Sequence, residues 1–160
     1  MYLLAAAVFI IVAVDIELVQ PIDDAWRDAM VSIENGVLTV IAQIFDVVGG
    51  VWVVWPIRFV VAGYLIAATR WAKLTIWTVT ALLVELSIGP IKALYDRPRP
   101  LDPLVETTSA AFPSGHAIAG AATAIALVIV LLAPGEHRRA WEVRAGVFAF
   151  AMAFSRVYLR

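Results

Sequence analysis

Cysteine is absent from the 160 residues. That excludes disulfides, thiolate metal sites and cysteine nucleophiles, and leaves the redox compartment open. Histidine is nearly as scarce, with only His116 and His137, too few for a histidine-rich metal centre. Charge is short too. Asp, Glu, Lys and Arg make up 16% of the chain, against about 25% in an ordinary soluble domain. The net charge is −1, so no overall basic field would draw in nucleic acid.

Apolar residues fill the space these absences leave. They make up 62% of the chain, and mean hydropathy is +0.89. Such values argue against a soluble globular protein and exclude disordered or collagen-like chains. The length suits one domain, residues 1–160.

A membrane-spanning helix needs about 20 apolar residues, with a range of about 17–25. Tyr2–Val14 is apolar but short. Val51–Thr69 is apolar except for Arg58 and contains Pro56. Leu74–Ile91 is apolar except for Glu85, Ala117–Ala133 is uninterrupted, and Ala145–Phe154 runs into Ser155 and Arg156. The pattern predicts an all-α polytopic transmembrane bundle with about five spans. The first stretch lacks the basic region and small-residue cleavage site of a signal peptide.

Residues 15–50 differ. Asp15, Glu17, Asp23, Asp24, Asp28, Glu34 and Asp46 are opposed by Arg27 alone. Pro21-Ile22-Asp23-Asp24 reads as a turn and helix start, with acids at the positive end of the helix dipole. Val37, Val40, Ile41, Ile44, Phe45 and Val48 recur at helical spacing. The segment is expected to form amphipathic helices on the membrane surface after the first span. A further span through Val37–Val48 is disfavoured, because that run is only about half a bilayer long.

Short-loop Lys and Arg set the orientation. Arg70 and Lys73 fall in one connection and Arg138, Arg139 and Arg144 in another, on the same side if every span crosses once. That side is expected to be cytoplasmic, with His137 solvated among its basic residues. Lys92, Arg97, Arg99 and Arg156 are left on the outer side.

Three pieces then meet at the outer face. The first runs from Lys92 to Arg99-Pro100, the second is Pro113-Ser114-Gly115-His116, and the third is Ser155-Arg156. A point charge and two planar forks suit a phosphate with several oxygens. Ser114 and Gly115 open a helix, where unpaired backbone N–H groups favour anions. His116 titrates near neutral pH and can protonate a departing oxygen. Singly, each piece also fits a plainer role, as an interfacial anchor or a helix cap. Their occurrence at one face is what points to chemistry.

These residues resemble the type 2 phosphatidic acid phosphatase family, whose pattern is Lys-x6-Arg-Pro, then Pro-Ser-Gly-His, then Ser-Arg-x5-His-x3-Asp. The first two elements match in full, and the third matches at Ser155-Arg156. The resemblance covers the chain from the second helix onward. It implies an integral membrane enzyme that needs no metal or other cofactor and removes phosphate from a lipid substrate such as a polyprenyl diphosphate, phosphatidylglycerol phosphate or phosphatidic acid. It implies that Lys92, Arg99 and Arg156 bind the phosphoryl group with help from Ser114 and Gly115, and that His116 is the general acid. The third-element histidine would be the nucleophile, forming a phosphohistidine, and the Asp would orient it. The sequence ends at Arg160, before that histidine. The expectation is a longer enzyme with a sixth helix, in a bacterial-type plasma membrane with the site facing outward. A lipid-phosphate binding protein without turnover is the alternative, and a vanadate haloperoxidase is disfavoured by the spans.

Arg58 and Glu85 are charged residues inside apolar runs. Glu85 precedes Lys92 by seven residues, about 10 Å along a helix, and Arg58 reaches a similar depth. An isolated charge there costs at least about 2.5–3.5 kcal/mol. The two are expected to pair beneath the site.

Overall fold

The computed structural model describes residues 16–95, 103–105 and 111–160. The expected first span, Tyr2–Val14, lies outside the described residues. The chain divides into two compact units, residues 1–35 and 36–160. Among the described residues the first unit holds one helix, α1 (Ile16–Ser32), with Pro21 inside it rather than at its start. Its acids are partly satisfied locally: Gln20 Nε2 donates to Asp24 Oδ1 one turn on, at 2.9 Å.

The second unit is a bundle of five helices: α2 (Gly36–Gly49), α3 (Val51–Ala67), α4 (Trp71–Tyr95), α5 (Gly115–Leu131) and α6 (Glu136–Leu159). No strand occurs among the described residues. The all-α architecture expected from composition is present. Among the described residues, α4 alone can cross a bilayer by length and hydropathy, and α2 with α3 can do so as one bent pair; α5 is a shorter apolar helix.

Local chemistry sets the boundaries. Gly50 separates α2 from α3, and the two helices diverge by 45°. Gly50 is extended, with φ −70° and ψ 157°, and glycine is a poor helix former. At its other end α3 closes in a Schellman arrangement. Thr69 takes φ 55°, and the N–H groups of Thr69 and Arg70 donate to the carbonyls of Ile66 and Leu65. Helix α6 begins in the charged stretch from Glu136, well before the apolar run Ala145–Phe154. Arg138 and Glu142 pair across its first turns at 2.7 Å, as i,i+4 neighbours do.

Helix α5 lies at the centre, packed against α2, α3, α4 and α6. Its small residues allow this: Ala119, Gly120, Thr123 and Ala126 are all buried, and close approach of backbones is how helices associate in lipid. One core cluster joins Val61, Leu65, Trp77, Ala126 and Val130. Another centres on Met152, which is fully buried. A Cβ added at Gly49 would stand 2.9 Å from Met152 Sδ and 3.0 Å from the His116 carbonyl oxygen. A larger residue there would require the Met152 side chain to move and the His116 carbonyl to give way by a few tenths of an ångström.

The second half of the acidic segment therefore does more than cover a surface. Helix α2 packs on α5 and α6, burying Ala42 and Gly49. Its Thr39 hydroxyl lies 3.0 Å from the Tyr158 hydroxyl of α6.

Candidate active site

The Pro-Ser-Gly-His element lies where the sequence pattern places it, at the start of α5. Ser114 is the N-cap, and its hydroxyl accepts from Ala117 N at 3.4 Å. Such a cap satisfies one of the free N–H groups of the first turn. At Gly115 an added Cβ would make ordinary contact with Ile88 of α4, at 3.6 Å. Packing alone does not demand glycine there. The Phe112-Pro113 peptide is cis, and the Phe112 ring meets Tyr95, the last residue of α4, edge-on at 5.1 Å.

Of the three elements, Lys92, the Ser114–His116 turn and Ser155-Arg156 come to one end of the bundle. Lys92 is in the last turn of α4, one turn beyond Ile88. Leu104 N donates to Leu159 O at 3.0 Å, which fixes part of the connection after α4 to the end of α6. Arg156 lies in the last turn of α6. Arg97, Arg99 and Pro100 lie outside the described residues.

His116 and Arg156 meet on a residue that the sequence reading left among surface acids. Asp46 Oδ1 accepts from Arg156 Nη1 and stands 3.7 Å from His116 Nε2. The first is a direct charge-assisted hydrogen bond; the second is an ion-pair separation too long for one. The Arg156 side chain is buried, whereas that of His116 is 40% exposed. The imidazole is thus open to a substrate oxygen while the guanidinium is held from behind. Arg156 Nε is buried and has no hydrogen-bond partner among the described residues. Such a donor is costly to leave unpaired, which suits one reserved for an anion. The clue to Asp46 was available. It is a single acid inside an apolar helical run and stands three residues before Gly49-Gly50.

Deeper in the bundle Arg58 and Glu85 pair, as their depths suggested. Arg58 Nη1 donates to Glu85 Oε1 at 2.5 Å, and Arg58 Nε donates to Thr123 Oγ1 of α5 at 3.2 Å. The guanidinium also lies over the Trp55 ring, 5.4 Å from its centroid. Among the described residues no three His, Asp or Glu side chains gather as a metal ion would require.

An all-α bundle with apolar outer faces and a histidine and arginine gathered at one end defines an integral membrane protein with a polar site. The PAP2 superfamily model matches residues 71–160, more than half of the chain and the part that carries all three elements. The chain belongs to the PAP2 superfamily, which makes it an enzyme of the phosphatase class. Its structure is similar to the crystal structure described as the first transmembrane PAP2 type phosphatidylglycerolphosphate phosphatase from Bacillus subtilis. The TM-score is 0.85 and the identity 28%, over 99% of this chain and 84% of that one. Among curated proteins none matches the sequence significantly.

Proposed function

We propose that the protein hydrolyses the terminal phosphate of a membrane lipid. The observation that carries the reading is the convergence of His116 and Arg156 on Asp46 at the N-terminus of α5. The name of the Bacillus subtilis neighbour makes phosphatidylglycerol phosphate the first substrate to try; phosphatidic acid and polyprenyl diphosphate present the same terminal group.

In this reading Lys92, Arg99 and Arg156 hold the phosphate oxygens, with backbone amides at Ser114 and Gly115 beside them. Arg156 is held by Asp46, so its remaining donors face the anion at little further cost in side-chain freedom. The nucleophile in this reading is the histidine of the family's third element, which attacks phosphorus as the bond to the lipid oxygen breaks. His116 gives its proton to that oxygen, releasing the lipid alcohol. Water then cleaves the N–P bond, yielding inorganic phosphate and restoring the nucleophile. The site faces outward, and the acyl or prenyl chains stay in the bilayer.

The test is phosphate release from phosphatidylglycerol phosphate in detergent micelles by the natural gene product. Release is expected to survive EDTA and to be inhibited by vanadate. Loss on chelation with recovery on adding magnesium would overturn the histidine mechanism. Binding of the lipid through Lys92 and Arg99 with no release would favour a binding protein instead.

A further inference from the structure

Helix α4 carries Lys92 and leaves most of its surface facing away from the bundle. It is 25 residues long, and Trp77 is its one buried residue. Midway along α4, Thr80 and Ala81 line one small void with Ala122, Thr123 and Ala126 of α5, beside the larger Trp77 and Arg58. In lipid no hydrophobic force drives helices together, so side-chain packing and polar contacts must set their register.

Two polar tethers tie α4 to α3, and both end on Arg58. Its guanidinium donates to Glu85. Its backbone carbonyl accepts from Trp77 Nε1 at 3.1 Å. The same guanidinium donates to Thr123 of α5. One buried residue therefore grips α4 at two levels, two turns apart, and α5 at a third. Sliding α4 by one residue, about 1.5 Å, would break at least one of these bonds. It would also move Lys92 by that amount relative to His116, which lies seven residues before Thr123 on α5.

We propose that Arg58 is a positioning residue, setting the axial register of α4 against α5 and with it the distance from Lys92 to the Ser114–His116 turn. Its part in turnover rests on the lipid phosphatase reading; the register itself does not. Buried charged groups serve best as devices of this kind, fixing which of several packings is adopted.

Two measurements test it on the full chain. The first is kinetic, with turnover of phosphatidylglycerol phosphate expressed per folded, monodisperse molecule. Arg58→Gln is expected to lower kcat by about tenfold or more, with KM changed by less than about threefold, because a misplacement near 1 Å acts mainly on the transition state. Trp77→Phe, which removes the indole N–H together with one ring of a buried side chain, should show the same split to a smaller degree when turnover is expressed per folded molecule. Lower protein yield with an unchanged kcat per folded molecule would overturn the proposal. If Arg58→Gln gives no folded protein, Glu85→Asp replaces it, with the same two outcomes.

The second measurement is independent of activity. The chain has no cysteine, so Ile88→Cys with Gly115→Cys reports one contact of α4 with α5. A Cβ on Gly115 would stand 3.6 Å from the Ile88 side chain, so the two positions are close enough for a bridge to be tried. The bridge is expected to form readily in that background and in clearly lower yield when Arg58→Gln is added. Equal yields would overturn the proposal. If the parent protein releases no phosphate, the lipid phosphatase reading fails, while the bridge still decides the register.

Discussion

Two guanidinium–carboxylate pairs hold the bundle, and they are built for opposite ends. Arg58 meets Glu85 on one side and Thr123 on another, and its side chain is 5% exposed. Its polar surroundings are closed. Arg156 meets Asp46 and is nearly as buried, at 8%, but its Nε is left without a partner among the described residues and His116 stands at the edge of the same carboxylate. Its surroundings are open on one side. The same chemical pair is thus a fastening in one place and a half-finished coordination sphere in the other. Only the leftover donor and the exposed imidazole tell them apart.

Breaking the open pair should cost activity, and the largest effect is expected at His116. His116→Ala should reduce phosphate release by about 10²–10⁴-fold, the usual worth of a general acid, with folding unchanged by circular dichroism. Activity within threefold of the parent would remove His116 from the chemistry. Asp46→Asn comes next. It keeps the shape but removes the charge that holds Arg156, and a loss of about ten- to a hundredfold in kcat/KM for the lipid phosphate is expected. An unchanged kcat/KM would show that Arg156 needs no such support.

Breaking the closed pair should cost stability. Removing one partner of a buried ion pair costs about 3–5 kcal/mol, and less when both go together. Glu85 is about a third exposed, so the lower end is expected. Arg58→Gln and Glu85→Gln should each lower the thermal midpoint in detergent, and the double variant should lower it by less than the sum. Additive losses would mean the two do not depend on each other. The smallest effect is expected at Arg138–Glu142, the pair near the start of α6 with Glu142 largely exposed. Glu142→Gln should change stability by no more than about 0.5 kcal/mol and leave phosphate release untouched.

The sequence showed the helical class plainly, because 62% apolar content leaves little else for the chain to be. It also showed Arg58 and Glu85, since a charge within an apolar run must find a partner and depth along a helix follows from counting. Helix ends were harder. The charged turns from Glu136 to Arg144 are good helix formers but poor membrane residues, so a reading by hydropathy starts α6 at Ala145. Asp46 was the hardest. Its role depends on α2 crossing α5 and α6, and a crossing made possible by one glycine leaves little trace in periodicity. The sites of Ser114 and His116 were legible because they depend on one helix start alone.

The crossing at Gly49 also exposes the enzyme to a chemical hazard. Met152 is packed there so tightly that its sulfur would lie 2.9 Å from a Cβ on Gly49, and its methyl carbon 3.0 Å from one on Gly120. Oxidation to the sulfoxide adds a polar oxygen to that sulfur, where there is no room for it. The backbone it would press on is that of Gly49, which itself lies close against the carbonyl of His116. Peroxide treatment should therefore silence phosphate release in step with sulfoxide formation at Met152, read by mass spectrometry, and Met152→Leu should resist it. Equal inactivation of both proteins would place the damage elsewhere. A chain without a single thiol would then still carry a redox weak point, in a thioether packed close to His116.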